Sequence, residues 1–132
     1  MSSAYVDASY IVALALEEPG SAQPARRLAA SELFSSNLLE AEVRAALARE
    51  RADLVPTWLF RVEWVLPDRP LSEEISAVLA AGYLRGADLW HLACALYLAD
   101  GKRKMSFLTL DKPQAAVARK LRMSWDEVAG IQ

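Results

Sequence analysis

The sequence predicts a single α/β domain built on a short parallel sheet with helices on both faces. Three observations predict it. Short β-prone runs alternate with helical stretches along nearly the whole chain, and parallel strands need the crossover connections that helices supply. The length, 132 residues, is that of one domain against a usual size of roughly 150. A composition 54% hydrophobic and 24% charged belongs to a globular chain that buries its own core, neither disordered nor fibrous. Residues 1–132 are accordingly read as one domain.

The elements follow in order. Residues 4–7 are β-prone and run directly into a helix over 8–17, ended by Pro19-Gly20. Ser21 caps a second helix through about residue 31, and residues 33–36 form a second strand. Over 37–51, Leu39, Val43, Ala46 and Leu47 recur at helical spacing. Pro56 suits the first turn of a further helix carrying Trp58, Leu59 and Val62 on one side. An apolar piece at 64–66 is stopped by Pro67 and Pro70, and a helix opens at Ser72 and ends near Gly82. Residues 88–99 read as a buried helix, 106–110 as a strand and 112–121 as a helix, while 123–132 fit no single pattern.

Composition excludes several chemistries. Cys94 is the only cysteine and His91 the only histidine. The chain therefore holds no internal disulfide, no multi-cysteine zinc site, no HExxH motif and no paired-histidine ribonuclease mechanism. The five glycines are scattered, so no phosphate-binding glycine loop can be built from them. No Lys or Arg precedes Arg26, so the early apolar stretch lacks the basic flank of a signal peptide. The longest apolar run, 92–99, falls far short of the roughly 20 residues that span a bilayer. A cytoplasmic protein is expected.

The net charge of −2 argues against a general nucleic-acid binder, but its distribution is uneven. Residues 102–122 carry seven basic side chains and one acid, a net of +6, which leaves −8 on the remainder. Lys102, Arg103, Lys104 and Lys112 are the candidates for steering a polyanion, against the alternative of a solvated charged loop and helix face.

In doubly covered parallel sheets, ligands bind beyond the carboxyl ends of the strands. Asp7 and Asp111 stand at two such handovers, and Asp88 opens a third helix. All three are good helix N-caps, and Asp111-x-x-Gln114 reads as a capping box. Yet carboxylates gathered after neighbouring strands repel one another and call for a cation. On the third helix, at about 100° per residue, Glu42 falls at one edge of the apolar stripe and Glu40 at the other, so either can point inward. Arg44 and Arg49 are expected elsewhere around that helix.

Four segments together resemble the PIN domain, and within it the small VapC-like toxin ribonucleases of toxin–antitoxin pairs. They are Tyr5-Val-Asp7-Ala-Ser9, Leu38-Leu-Glu-Ala-Glu42-Val, Asp88-Leu-Trp-His91-Leu-Ala-Cys-Ala-Leu96 and Phe107-Leu-Thr109-Leu-Asp111-Lys. The resemblance implies a three-layer PIN-like fold and a metal-dependent ribonuclease. Asp7, Glu42, Asp88 and Asp111 would hold Mg²⁺ or Mn²⁺, with Ser9 and Thr109 hydrogen-bonding inside the pocket. Glu42 matches the family motif better than Glu40. A cognate antitoxin and a homodimer are the implied protein partners.

The residue chemistry agrees, because an all-carboxylate donor set selects hard divalent cations and no histidine base is then required. His91 is expected to be a hydrogen-bonding core residue and Cys94 a packing residue. Trp58, Trp64 and Trp90 are expected in the core or a subunit interface, with Trp125 open. Two rivals remain. A phosphatase with an aspartyl nucleophile needs a DxD-like pair, where this chain has Asp7-Ala8-Ser9. A non-catalytic PIN-like binding module would not need all four acids.

Overall fold

A computed structural model describes residues 2–52, 54–99, 105–121 and 125–129. Among these residues, five parallel strands form one sheet in the order β3-β2-β1-β4-β5. They are β1 (Ser2–Val6), β2 (Ser31–Ser36), β3 (Val62–Val65), β4 (Met105–Leu108) and β5 (Trp125–Ala129). Among the described residues, six helices connect them: α1 (Ala8–Ala15), α2 (Ala22–Ala29), α3 (Leu38–Arg49), α4 (Ser72–Ala81), α5 (Gly86–Ala99) and α6 (Lys112–Lys120). Among the described residues, no helix is long and apolar enough to cross a membrane.

The period-two alternation of strand side chains divides the core into two layers. Ala4, Val6, Leu33 and Leu108 point to one face, where they pack with Ile11, Leu28, Leu39, Val43 and Leu47 of α1, α2 and α3. Tyr5, Phe34 and Phe107 point to the other face, against Val78, Leu92 and Val117 of α4, α5 and α6. Tyr5 lies opposite both Phe34 and Phe107 in the ladders and stacks on Phe107 at 5.6 Å between centroids. The result is the expected three-layer α/β architecture.

Several boundaries differ from expectation. The helix expected to open at Pro56 is only a 3₁₀ turn over Thr57–Arg61, and Val62 and Trp64 continue into β3. The backbone there pairs with β2 from Leu33↔Val62 to Ser36↔Val65, and a ladder open to β-branched and aromatic residues overrides weak helical spacing. Trp64 is therefore an exposed residue of the edge strand and not a core residue. Trp58 is half-buried, with the Arg61 guanidinium 5.5 Å over its ring. Trp90 is half-buried on α5, packed at the margin of the core. The tail that fitted no pattern supplies β5, whose Trp125 is buried against Phe107 and donates its indole N–H to the Ala118 carbonyl at 2.9 Å.

The chain order places β1 at the centre. From it the chain runs to β2 and β3 on one side and returns to β4 and β5 on the other. The connections leaving β1 and β4 therefore diverge, which opens a crevice at their carboxyl ends.

Candidate active site

The crevice is a cavity of about 440 Å³ whose walls include Asp7, Glu42, Asp88 and Asp111. The four acids reach it from four different elements. Asp7 follows β1 and N-caps α1, its Oδ2 accepting the Ser9 backbone N–H at 3.1 Å and the Ser9 hydroxyl at 2.6 Å. Capping and lining the pocket are thus compatible, since one oxygen caps while Oδ1 lies 3.9 Å from His91 Nε2. Asp111 caps α6 in the same way, accepting the Gln114 N–H at 2.8 Å. Asp88 is not the expected cap: α5 begins two residues earlier, at Gly86, and Asp88 sits inside its first turn, where the helix dipole favours a carboxylate.

Glu42 and Glu40 separate cleanly. α3 starts where the Ser36 hydroxyl accepts the Leu38 N–H at 3.0 Å, and burial of Leu39, Val43 and Leu47 fixes which face turns inward. Glu42 is half-buried in the cavity wall, with Oε1 2.5 Å from His91 Nε2. Glu40 lies on the solvent side, paired with Arg44 at 3.1 Å.

Ser9 and Thr109 lock the two strand ends together. The Ser9 hydroxyl donates to Asp7 and accepts the Leu110 N–H at 2.9 Å, while Thr109 Oγ1 accepts the Asp111 N–H at 3.0 Å. Gln114 does not complete a capping box. Its fully buried amide accepts from the Thr109 hydroxyl at 2.7 Å and donates to the Asp88 carbonyl at 3.2 Å, tying the start of α6 to α5.

Burial raises the Asp88 carboxyl above its ordinary pKa, and the charges of Asp111, Asp7 and Glu42 push in the same direction. A native pKa above the unfolded one means that the folded chain binds the proton more tightly. Metal-free stability therefore falls as pH rises from about 4 through the raised value. Asp88→Asn removes the repulsion, so metal-free Asp88→Asn is expected to melt a few degrees above the parent at pH 7. Melting curves at pH 7 and pH 3.5 check this, because the advantage should vanish at the acidic pH.

Among the described residues, no Lys or Arg makes an ion pair with any of the four acids. This all-oxygen donor set, without such an ion pair, fits a hard divalent cation. No three His, Cys, Asp or Glu side chains among the described residues converge on a single point.

Arg49 corrects one expectation. It lines the same cavity as Glu42 and does not lie elsewhere around α3. The signal was its spacing, since seven residues after Glu42 is two turns along, only about 20° away around the helix. Glu18, exposed in the turn after α1, adds another carboxylate to the rim. Lys112 is exposed beside Asp111, whereas Lys102, Arg103 and Lys104 lie outside the described residues.

Residues 4–120 match the PIN domain family, and the protein belongs to it. No curated protein and no solved structure matches the chain significantly. PIN domains are in general nuclease domains that use divalent metal ions and bind RNA. A hydrolase that acts on nucleic acid is thereby the class to which fold, site chemistry and family all lead.

Proposed function

We propose that residues 1–132 act as one domain that hydrolyses RNA phosphodiesters internally at the Asp7–Glu42–Asp88–Asp111 pocket with Mg²⁺ or Mn²⁺, as the toxin of a toxin–antitoxin pair. The observation that carries the reading is four carboxylates, unpaired with Lys or Arg among the described residues, gathered around one cavity at the carboxyl ends of β1 and β4. These four would hold the cation, which when bound polarises the phosphodiester and lowers the pKa of water.

The chain's own groups do the rest. Asp7 and Asp111 are pinned by their capping bonds, so the pocket keeps its shape when RNA enters. Ser9 and Thr109 hold the two strand ends in register. Arg49 offers a guanidinium on the wall of an otherwise acidic cavity, suited to a phosphate next to the cleaved one.

The toxin role is supported by the likeness of the four sequence segments to small VapC-like ribonucleases. A cognate antitoxin and a second copy of the chain are the proposed protein partners, in the cytoplasm. Expression of the chain alone should arrest growth, and co-expression of a short neighbouring reading frame should relieve the arrest. Mn²⁺ titrated into the metal-free protein tests the site itself. Saturable binding is expected, and its absence from folded protein overturns the reading in favour of a non-catalytic module.

The basic segment gives a separate expectation. Neutralising Lys102, Arg103 and Lys104 together should weaken RNA binding and flatten its salt dependence by roughly 0.7 in log–log slope per lost phosphate contact. Mn²⁺ affinity should be unchanged. Binding measured between 50 and 200 mM salt, the range over which such contacts are typically resolved, decides it. An unaltered slope returns the segment to a solvated loop.

A further inference from the structure

Behind the pocket, a chain of hydrogen bonds runs from β2 through the buried Tyr5 and His91 to the half-buried Glu42. His91 lies one turn after Asp88 on α5 and is wholly inaccessible to solvent. Both ring nitrogens are engaged. Nδ1 is 2.8 Å from the Tyr5 hydroxyl, and Nε2 is 2.5 Å from Glu42 Oε1. The Ser36 backbone N–H reaches the same Tyr5 oxygen at 2.9 Å.

Counting protons orients the chain. A backbone N–H only donates, so the Tyr5 oxygen accepts from Ser36, and a carboxylate only accepts, so the hydrogen between Glu42 and His91 belongs to Nε2. A Tyr5 hydroxyl that donates to Nδ1 then leaves one ring hydrogen, on Nε2, facing the carboxylate.

We infer that His91 is a positioning residue for the glutamate of the metal site: Tyr5 fixes the Nε2–H tautomer, and that N–H holds Glu42 Oε1, leaving Oε2 for the pocket. This rests on the reading of Glu42 as a metal ligand given under the proposed function. The choice of group has a physical reason. Nε2 sits between Glu42 and Asp7, at 2.5 and 3.9 Å. A Lys or Arg there would cancel the charge that draws a cation. A neutral donor steadies the carboxylate and leaves that charge in place.

Two measurements test the inference. As His91 is the only histidine, a long-range ¹⁵N–¹H spectrum of the metal-free protein at neutral pH shows one imidazole without assignment. A protonated Nε2 with a bare Nδ1 is expected; an Nδ1–H tautomer or a doubly protonated ring overturns the inference.

The second measurement compares His91→Gln, whose amide nitrogen reaches the Nε2 position, with His91→Asn, which reaches only Nδ1. Outer-shell partners of a metal are generally worth 10–100-fold in affinity. Mn²⁺ affinity should therefore stay within about threefold of the parent in His91→Gln and fall at least about tenfold in His91→Asn. A purely structural histidine would lower the melting temperature of both and separate their affinities in neither, and equal affinities overturn the inference alone. A parent protein that binds no Mn²⁺ overturns the proposed function, and this inference falls with it. Should neither variant fold, the parent's tautomer decides.

Discussion

Asp7→Asn and Glu42→Gln are each expected to lower RNA cleavage at saturating Mn²⁺ by at least about tenfold, the lower end of what even outer-shell metal partners cost. Glu40→Gln should remain within about twofold, as surface substitutions do. Both loss variants keep the local structure. Asn caps a helix as well as Asp does, so α1 should still start where it does. Gln retains an oxygen that can accept from His91 Nε2. What each variant removes is one negative charge at the cavity wall, and a hard cation is drawn chiefly by charge. Glu40 shares none of this, since its carboxylate is committed to Arg44 in solvent. Cleavage of a labelled single-stranded RNA by the three variants, with circular dichroism to establish folding, is the measurement. An inactive Glu40→Gln beside an active Glu42→Gln would mean that α3 presents its other edge to the metal.

Chelation should act still more completely. With EDTA in excess, cleavage of single-stranded RNA should fall to background, and Mg²⁺ or Mn²⁺ added beyond the chelator should restore it. The physical argument lies in the side chains that remain. The one imidazole is bonded at both nitrogens, to Tyr5 and Glu42, and has no free position for a general base. The one thiol, Cys94, is buried, and that burial pushes its pKa up to about 12, so it is not a thiolate at neutral pH. A catalytic carboxylate would have to activate water unaided beside three like charges. Cleavage that survives EDTA at an undiminished rate would remove the metal from the mechanism.

Much of the architecture was legible because its causes are local. The short β-prone runs at 4–7 and 33–36, the helical spacing over 37–51 and the stops at Pro19-Gly20 and Gly82 each reflect a preference of neighbouring residues. The observed elements depart from those readings mainly by a few residues at their ends. β3 and β5 were not legible. Edge strands owe their structure to the ladder they join, and neither Val62–Val65 nor Trp125–Ala129 announces that ladder in its own residues.

The same division runs through the candidate site. Residue order by itself set Asp7 and Asp111 at strand–helix handovers, because a parallel α/β chain must turn there, and it set Glu42 and Glu40 on opposite edges of one helix. It also restricted the chemistry, by supplying one histidine, one cysteine and an excess of acids outside residues 102–122. Only the tertiary structure decided which glutamate faces inward, that Arg49 shares its wall, that Gln114 ties α6 to α5, and that His91 joins Tyr5 to Glu42 across 86 and 49 positions of sequence. Local preference reaches about one helical turn along the chain. Contacts between side chains from separate strands and helices depend on how the layers pack, and no short stretch of sequence contains that information.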